Sequence, residues 1–331
     1  MYSLHGGDPY DYLKNSCNGR TLFAVDYRIE KLSAQNIHHL APLYRAAFNQ
    51  SVSLQFLLKK YNTHFVGVEF IGFIAFTPMG MAAGYYGVIP CLFQIKGKKV
   101  IAAQSADTMT HPDHRRKGLF QMLAKQTYAL AREQNIQFVF GFPNEHSLHG
   151  FENLKWQFLP DQFQLFSVST GGFPYARLLK KSSLLSSCYQ ILLARIVGNE
   201  HVPAGLFEKT ATDGVMHDQS FLAYKTYNAT HILSISNVNI WIKIDGRLKV
   251  GAVLGLDKNN AVAFLSRLKK LASRLGCSEV IFMTSKYSSL YQILQEIVTP
   301  KDAFPIGFLP LQDTSFSFEN LSFEYCDVDI F

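Results

Sequence analysis

A chain of 331 residues with 48% hydrophobic and 17% charged residues can bury a large core, which excludes a disordered protein and makes two domains the expectation. Its five cysteines are odd in number and lack CxxC spacing, so they fit neither a disulfide framework nor a zinc site and read as reduced, buried thiols. The net charge of +7 and pI near 9.0 suit an anionic partner, yet charge alone does not choose among nucleic acid, an anionic cofactor and a negatively charged substrate.

The N-terminal stretch from Met1 to Leu13 has no basic region leading into an apolar run, which favours the cytoplasm over secretion. Phe70 to Ile95 carries no charge and is long enough to cross a bilayer. Its Gly72, Pro78, Gly80, Gly84, Gly87 and Pro90 instead fit strands joined by a turn at Thr77-Pro78-Met79-Gly80.

In chain order, Thr21 to Leu32 alternates like a strand, and Ala34 to Asn49 and Ser51 to Tyr61 have helical spacing. His64 to Phe76, Gly84 to Lys96 and Lys99 to Thr110 read as a strand meander. A helix from Gly118 to Gln134, a strand from Gln137 to Phe142, a helix from Ser147 to Leu154 and a strand from Gln162 to Val168 follow. Gly171, Gly172 and Pro174 then break the pattern, and Tyr175 to Val197 reads as a connecting helix. This gives a division into 1–172, a connector 173–198 and a second part 199–331.

The second part has strands at His231 to Ile235, Asn239 to Ile244 and Leu248 to Leu254. An amphipathic helix from Ala261 to Leu275, a strand from Glu279 to Met283 and a helix from Ser288 to Ile297 complete it. An offset of 141 residues sets Ala131–Phe140 against Ala272–Ile281 and aligns both helix ends and both strands. At that offset Gly118 falls on Asn259, within a run that has no glycine and one basic residue. If the second half is a duplicate, its anion loop is lost.

The sharpest signal runs from Ser105 to Phe120, where a strand ends at Pro112 and Arg115, Arg116 and Lys117 precede Gly118 at a helix start. Free N–H groups at such a start, the helix dipole and three cations favour a pyrophosphate. Arg115-Arg116-Lys117-Gly118-Leu119-Phe120 resembles the Arg/Gln-x-x-Gly-x-Gly/Ala loop of the GNAT acetyltransferase superfamily, with Phe120 in place of the small residue. Asn144, Ser147, Phe151 and Trp156 likewise resemble the family's Asn-x-x-Ala-x-x-x-Tyr-x-x-x-Gly-Phe run, with Phe151 for the tyrosine and Lys155 for the glycine.

The resemblance implies a mixed α/β fold with a twisted, mostly antiparallel sheet, followed by a smaller, degenerate GNAT-like domain. It implies acetyl-CoA or another acyl-CoA as co-substrate, held by Thr108, Met109, Thr110, Arg115, Arg116, Lys117, Gly118, Leu119, Phe120, Asn144 and Ser147. No metal is expected. Asp107 occupies the strand position where many members carry a base and is the expected general base. His111, His114, His146 and His149 have suitable intrinsic pKa and lie nearby. The tyrosine that often protonates the thiolate in this family is missing.

The expected function is transfer of the acyl group to a small-molecule amine, such as an amino sugar, as in two-lobed members of bacterial surface-polysaccharide pathways. Two other readings remain open. One is an aminoacyl-tRNA-dependent peptide-bond former of related fold, which the intact loop disfavours. The other is a non-catalytic acyl-CoA binder. Tyr224, Tyr227, Trp241 and Lys243 are equally able to line an acceptor cleft or to pack.

Overall fold

The computed structural model describes residues 26–179, 183–197, 213–313 and 316–331. The first half holds strands β1 (Arg28–Lys31), β2 (Ile71–Phe76), β3 (Ala82–Ile95), β4 (Lys98–Thr110), β5 (Phe138–Gly141), β6 (Gln157–Leu159) and β7 (Phe163–Ser169). Its helices are α1 (Leu40–Phe48), α2 (Leu54–Tyr61), α3 (Leu119–Glu133) and α4 (Glu145–Glu152). After α5 (Tyr175–Leu179) and α6 (Ser183–Val197) come β8 (Gly214–Val215), α7 (Gln219–Tyr224), β9 (Thr230–Ile235), β10 (Val238–Ile244) and β11 (Leu248–Leu254). Helix α8 (Ala261–Arg274), β12 (Glu279–Ser285), α9 (Ser289–Leu294), β13 (Lys301–Asp302) and β14 (Ile306–Pro310) follow.

Sequence periodicity located most of these elements. The turn residues act as expected: Gly80 N–H donates to Thr77 C=O at 2.9 Å, and Lys96 and Gly97, both at positive φ, make the two-residue link between β3 and β4. No helix among the described residues is long and apolar enough to cross a membrane. The charge-free stretch is β2 and β3, at the centre of a sheet. Part of the expected first strand and the start of the second domain lie outside the described residues. The expected connector helix appears as two described helices, α5 and α6.

Two sheets form, in the orders β1-β2-β3-β4-β5-β14-β6, with β8 beside β3, and β13-β7-β12-β11-β10-β9. In each, one strand pair is parallel: β4 with β5 and β11 with β12. Each parallel pair is bridged by one long helix, α3 or α8, as such a crossover requires. The repeat read from the sequence is therefore a repeat of topology.

The halves also exchange a strand. β7 of the first half lies between β12 and β13, while β14 of the second half lies between β5 and β6. A cut near residue 172 divides the sequence but not the sheets. The exchange builds an aromatic core across the halves, in which Phe138 and Phe140 of β5 pack with Phe308 of β14, Phe318 and Phe323.

Candidate active site

The β4–β5 ladder is short: Ala102, Ala103 and Gln104 pair with Phe138, Val139 and Phe140, and the register ends there. β4 continues to Thr110 beside β3 alone, so the two strands part and leave a cleft. His111 N–H donates to Ala83 C=O on the β3 side. Strand alternation then turns the main-chain groups of Thr110, and of Thr108 before it, toward the cleft.

At the cleft mouth stands the start of α3. Gly118 is its N-cap with φ 75°, and Arg116 is also left-handed at φ 60°. A Cβ at Gly118 would touch nothing, so glycine is needed there for backbone conformation and not for space. The α3 face carrying Leu119, Leu123, Ala124, Thr127 and Tyr128 is buried, while Gly118 ahead of it is exposed.

Among the described residues, the main-chain N–H groups from Arg116 to Gln121 donate no hydrogen bond to the protein. Arg115, Arg116 and Lys117 are exposed around them. Unpaired amides, the positive end of a 15-residue helix and three cations are features that could hold an anion.

Phe120 sends its ring inward, 5.6 Å from the ring of Tyr86 and 5.4 Å from that of Phe151. It occupies space that Gly150 leaves open, since a Cβ at Gly150 would sit 2.8 Å from the Phe120 ring. The large residue at the loop's last position thus leaves its own N–H free. Phe151 is buried in this cluster, 4.5 Å from the ring of Trp156. Behind it a hydrogen-bond chain links Ser105 Oγ, Tyr86 OH, Tyr128 OH and Trp156 Nε1 at 2.9, 2.7 and 3.0 Å. Burial pushes the Tyr86 phenol well above its usual range, so it stays neutral. Ser105 comes close to Gly141 where the strands part.

Asp107 lies in a β-bulge, where Asp107 and Thr108 together face Tyr86, and its φ is 49°. Regular alternation would put its side chain on the α3 face with Ser105. The bulge instead sends the carboxylate to the opposite face. There Tyr44 of α1 donates to Oδ1 at 2.5 Å, and Tyr61 of α2 donates to Oδ2 at 2.7 Å. Lys60 Nζ lies 2.6 Å from Oδ2 and 3.0 Å from Asp329 Oδ2.

Burial pushes the Lys60 ammonium down, but Asp107 and Asp329 outweigh it and hold the group well above the ordinary lysine range. Tyr224 OH donates to Lys60 C=O, and Tyr227 OH to Asp329 C=O. The second half therefore closes one side of this cluster.

Lys60, Tyr44, Tyr61 and Asp329 were missed from sequence. A signal for one of them existed, because Leu57, Lys60 and Tyr61 share one helix face and a lysine there sits on the buried side. Of the four histidines, His111 and His114 flank Pro112, and burial, then Lys117, lowers the pKa of His114. His149 is exposed beside Glu152, and the side chain of His146 lies outside the described residues. Asn144 and Ser147 cap the start of α4, with Ser147 N–H donating to Asn144 Oδ1 and Asn144 N–H to Ser147 Oγ, both at 3.1 Å. Trp241 is core and Lys243 bonds Asn228 Oδ1 and the Ile330 carbonyl.

Beyond β5, a cavity of about 470 Å³ opens between the halves, lined by Asn144, Glu145, Leu165, Met283, Asp302 and Phe304 among others. The corresponding loop of the second half is occupied by its own side chain. Asp257 Oδ1 accepts from the N–H groups of Asn259 and Asn260, at 2.8 and 2.9 Å, just before α8. Chain segments 322–324 and Phe331 fill the region beside the ends of β11 and β12.

Residues 28–157 match the family model described as an acetyltransferase (GNAT) domain. Solved structures share the fold. A GCN5-related N-acetyltransferase from Kribbella flavida aligns at TM-score 0.53 and 12% identity, covering 86% of this chain and 71% of that one. Another from Anabaena variabilis gives 0.52 and 15%, over 87% and 73%. A conserved protein of unknown function from Enterococcus faecalis, described as a probable N-acyltransferase, gives 0.55 and 12%, over 87% and 73%. At such identities the likeness is one of fold. No curated protein sequence matches this chain.

Proposed function

We infer, from the match of residues 28–157 to the acetyltransferase (GNAT) domain model, that the chain is an N-acetyltransferase. From that premise we propose that it transfers the acetyl group of acetyl-CoA to a small hydroxylated amine such as an amino sugar. The observation that carries the donor half of this reading is the run of free amides from Arg116 to Gln121 at the mouth of the β4–β5 cleft.

In this reading those amides, with Arg115, Arg116 and Lys117, hold the diphosphate. The pantetheine arm lies along Thr108, Met109 and Thr110 like an added strand, and Asn144 and Ser147 border it from the β5 side. A main-chain N–H of β4 polarises the thioester carbonyl. The amine attacks the carbonyl carbon, a C–N bond forms, the C–S bond breaks and the thiolate departs.

The amine proton goes to Asp107, directly or through water. Asp107 Oδ2 already receives Lys60 and Tyr61, whereas Oδ1 receives Tyr44 alone and keeps a lone pair for that proton. Phe151 has no proton to give, and a thiolate leaves unprotonated more readily than an alkoxide. The cavity beyond β5 supports a small cationic acceptor, since Glu145 and Asp302 are among its lining residues.

Thiol release from acetyl-CoA, measured with a panel of amines that includes amino sugars, tests the proposal. Amine-dependent release supports it. Tight acetyl-CoA binding without release from any amine overturns it in favour of a non-catalytic binder.

A further inference from the structure

β7 is paired on its inner side along its whole length with β12. On its outer side the two-residue β13 reaches only Gln164 and Leu165. Ala303 N–H donates to Phe163 C=O from outside, and Thr170 N–H donates to Ser278 C=O inside. Alternation along an antiparallel strand therefore turns the N–H and C=O groups of Ser167 and Ser169 outward. No described residue bonds them. A free edge of this kind is a template for another strand.

Beside that edge lies a groove of about 1060 Å³, floored by Val262 and Leu265 of α8. Its rim carries Lys269, Lys270 and Arg274, and none of its lining residues is acidic. Glu279, the nearest carboxylate on β12, sits on the other face of the sheet, where Ser167 Oγ and Arg247 engage it. The groove is separate from the β4–β5 cleft and plays no part in the proposed transfer.

We propose that this edge and groove bind an extended acidic polypeptide segment of a partner protein by strand addition. The partner's main chain pairs with Ser167 and Ser169, alternate apolar side chains lie on Val262 and Leu265, and carboxylates meet Lys269, Lys270 and Arg274. A second copy of this chain is the poorer occupant, because a symmetric edge-to-edge pair brings both sets of cations together. A nucleic acid would use the cations but not the spaced strand amides.

The test uses the full chain and fluorescent heptapeptides of alternating valine and glutamate, or valine and lysine, with an oligouridylate as a third probe. The acidic peptide is expected to bind, and to weaken at least tenfold when Lys269, Lys270 and Arg274 are all replaced by glutamate. It is expected to weaken also with Ser169→Pro, which removes one outward N–H without touching the β12 ladder, and when alternate peptide amides are methylated. Acetyl-CoA affinity serves as the control for folding and stays unchanged. Equal binding of the lysine peptide, preference for the oligouridylate, insensitivity to amide methylation or dimerisation through this edge each overturns the proposal.

Discussion

Lys60 Nζ and Asp107 Oδ2 lie 2.6 Å apart with both side chains almost wholly buried, at 3% and 7% exposure. The contact joins α2 to the bulge in β4, and Asp329 extends it to the chain's last residues. A buried ion pair is held by its partners, and deleting one partner strands the other charge, at a cost of about 3–5 kcal/mol. Asp107 is thus both the expected proton acceptor and a structural anchor.

Asp107→Asn keeps the residue's tolerance of a left-handed backbone and its hydrogen-bonding shape but removes the charge. It is expected to lower kcat at least tenfold, to leave the Kd for coenzyme A within about twofold, and to lower stability by roughly 2–4 kcal/mol. Steady-state rates with calorimetric binding check this. An undiminished kcat removes Asp107 as the base and leaves it the anchoring role.

Gly118→Asp places a β-carbon at φ 75° and a carboxylate at the helix start. Backbone strain and like-charge repulsion together amount to roughly 2–4 kcal/mol against the diphosphate, so acetyl-CoA affinity is expected to fall about 30-fold or more. Gly118→Ala separates the strain from the charge and is expected to lose less. Calorimetry that finds the aspartate variant binding normally contradicts the assigned loop.

Asp257 supplies the second half's loop with its own anion. Asp257→Ala is expected to cost about 1 kcal/mol of stability through the two lost turn hydrogen bonds and to leave the stoichiometry at one coenzyme A per chain. Denaturant titration and calorimetry read the two effects. A second equivalent of bound coenzyme A in the variant would contradict the view that this loop no longer serves a ligand.

Lys225 is buried, and burial, offset only in part by Cys326, Asp329 and Asp327, pushes its ammonium down to about 8 from the ordinary 10.5. Below about pH 8 the folded and unfolded chains are both protonated there and the full cost of burying the charge is present. From about pH 8 up to the ordinary lysine value the unfolded chain binds more protons, so stability from this group rises with pH. Compared with Lys225→Met, the native chain should gain roughly 1–2 kcal/mol between about pH 7.5 and about pH 9.5. Parallel stability profiles for the two proteins would contradict this.

Much of this architecture was legible because helical and strand periods report burial directly. The start of α3 was legible too, because Gly118 ahead of an amphipathic run has local physical meaning. The strand exchange was not, since β7 and β14 look alike whichever sheet receives them, and β13 and β6 are too short to carry a period. The Asp107 cluster was hidden for a different reason: a bulge reverses which face a side chain takes, and nothing in Ser105 to Thr110 announces it. How Phe120 is accommodated was not legible in the sequence, because Gly150, which makes room for its ring, lies 30 positions away.

A crystal structure with coenzyme A tests the central claim most directly. The account predicts diphosphate oxygens accepting from main-chain amides between Arg116 and Gln121, with the pantetheine arm beside Thr108 and Thr110. A diphosphate bound elsewhere on the chain, with those amides still unengaged at saturating ligand, would contradict it.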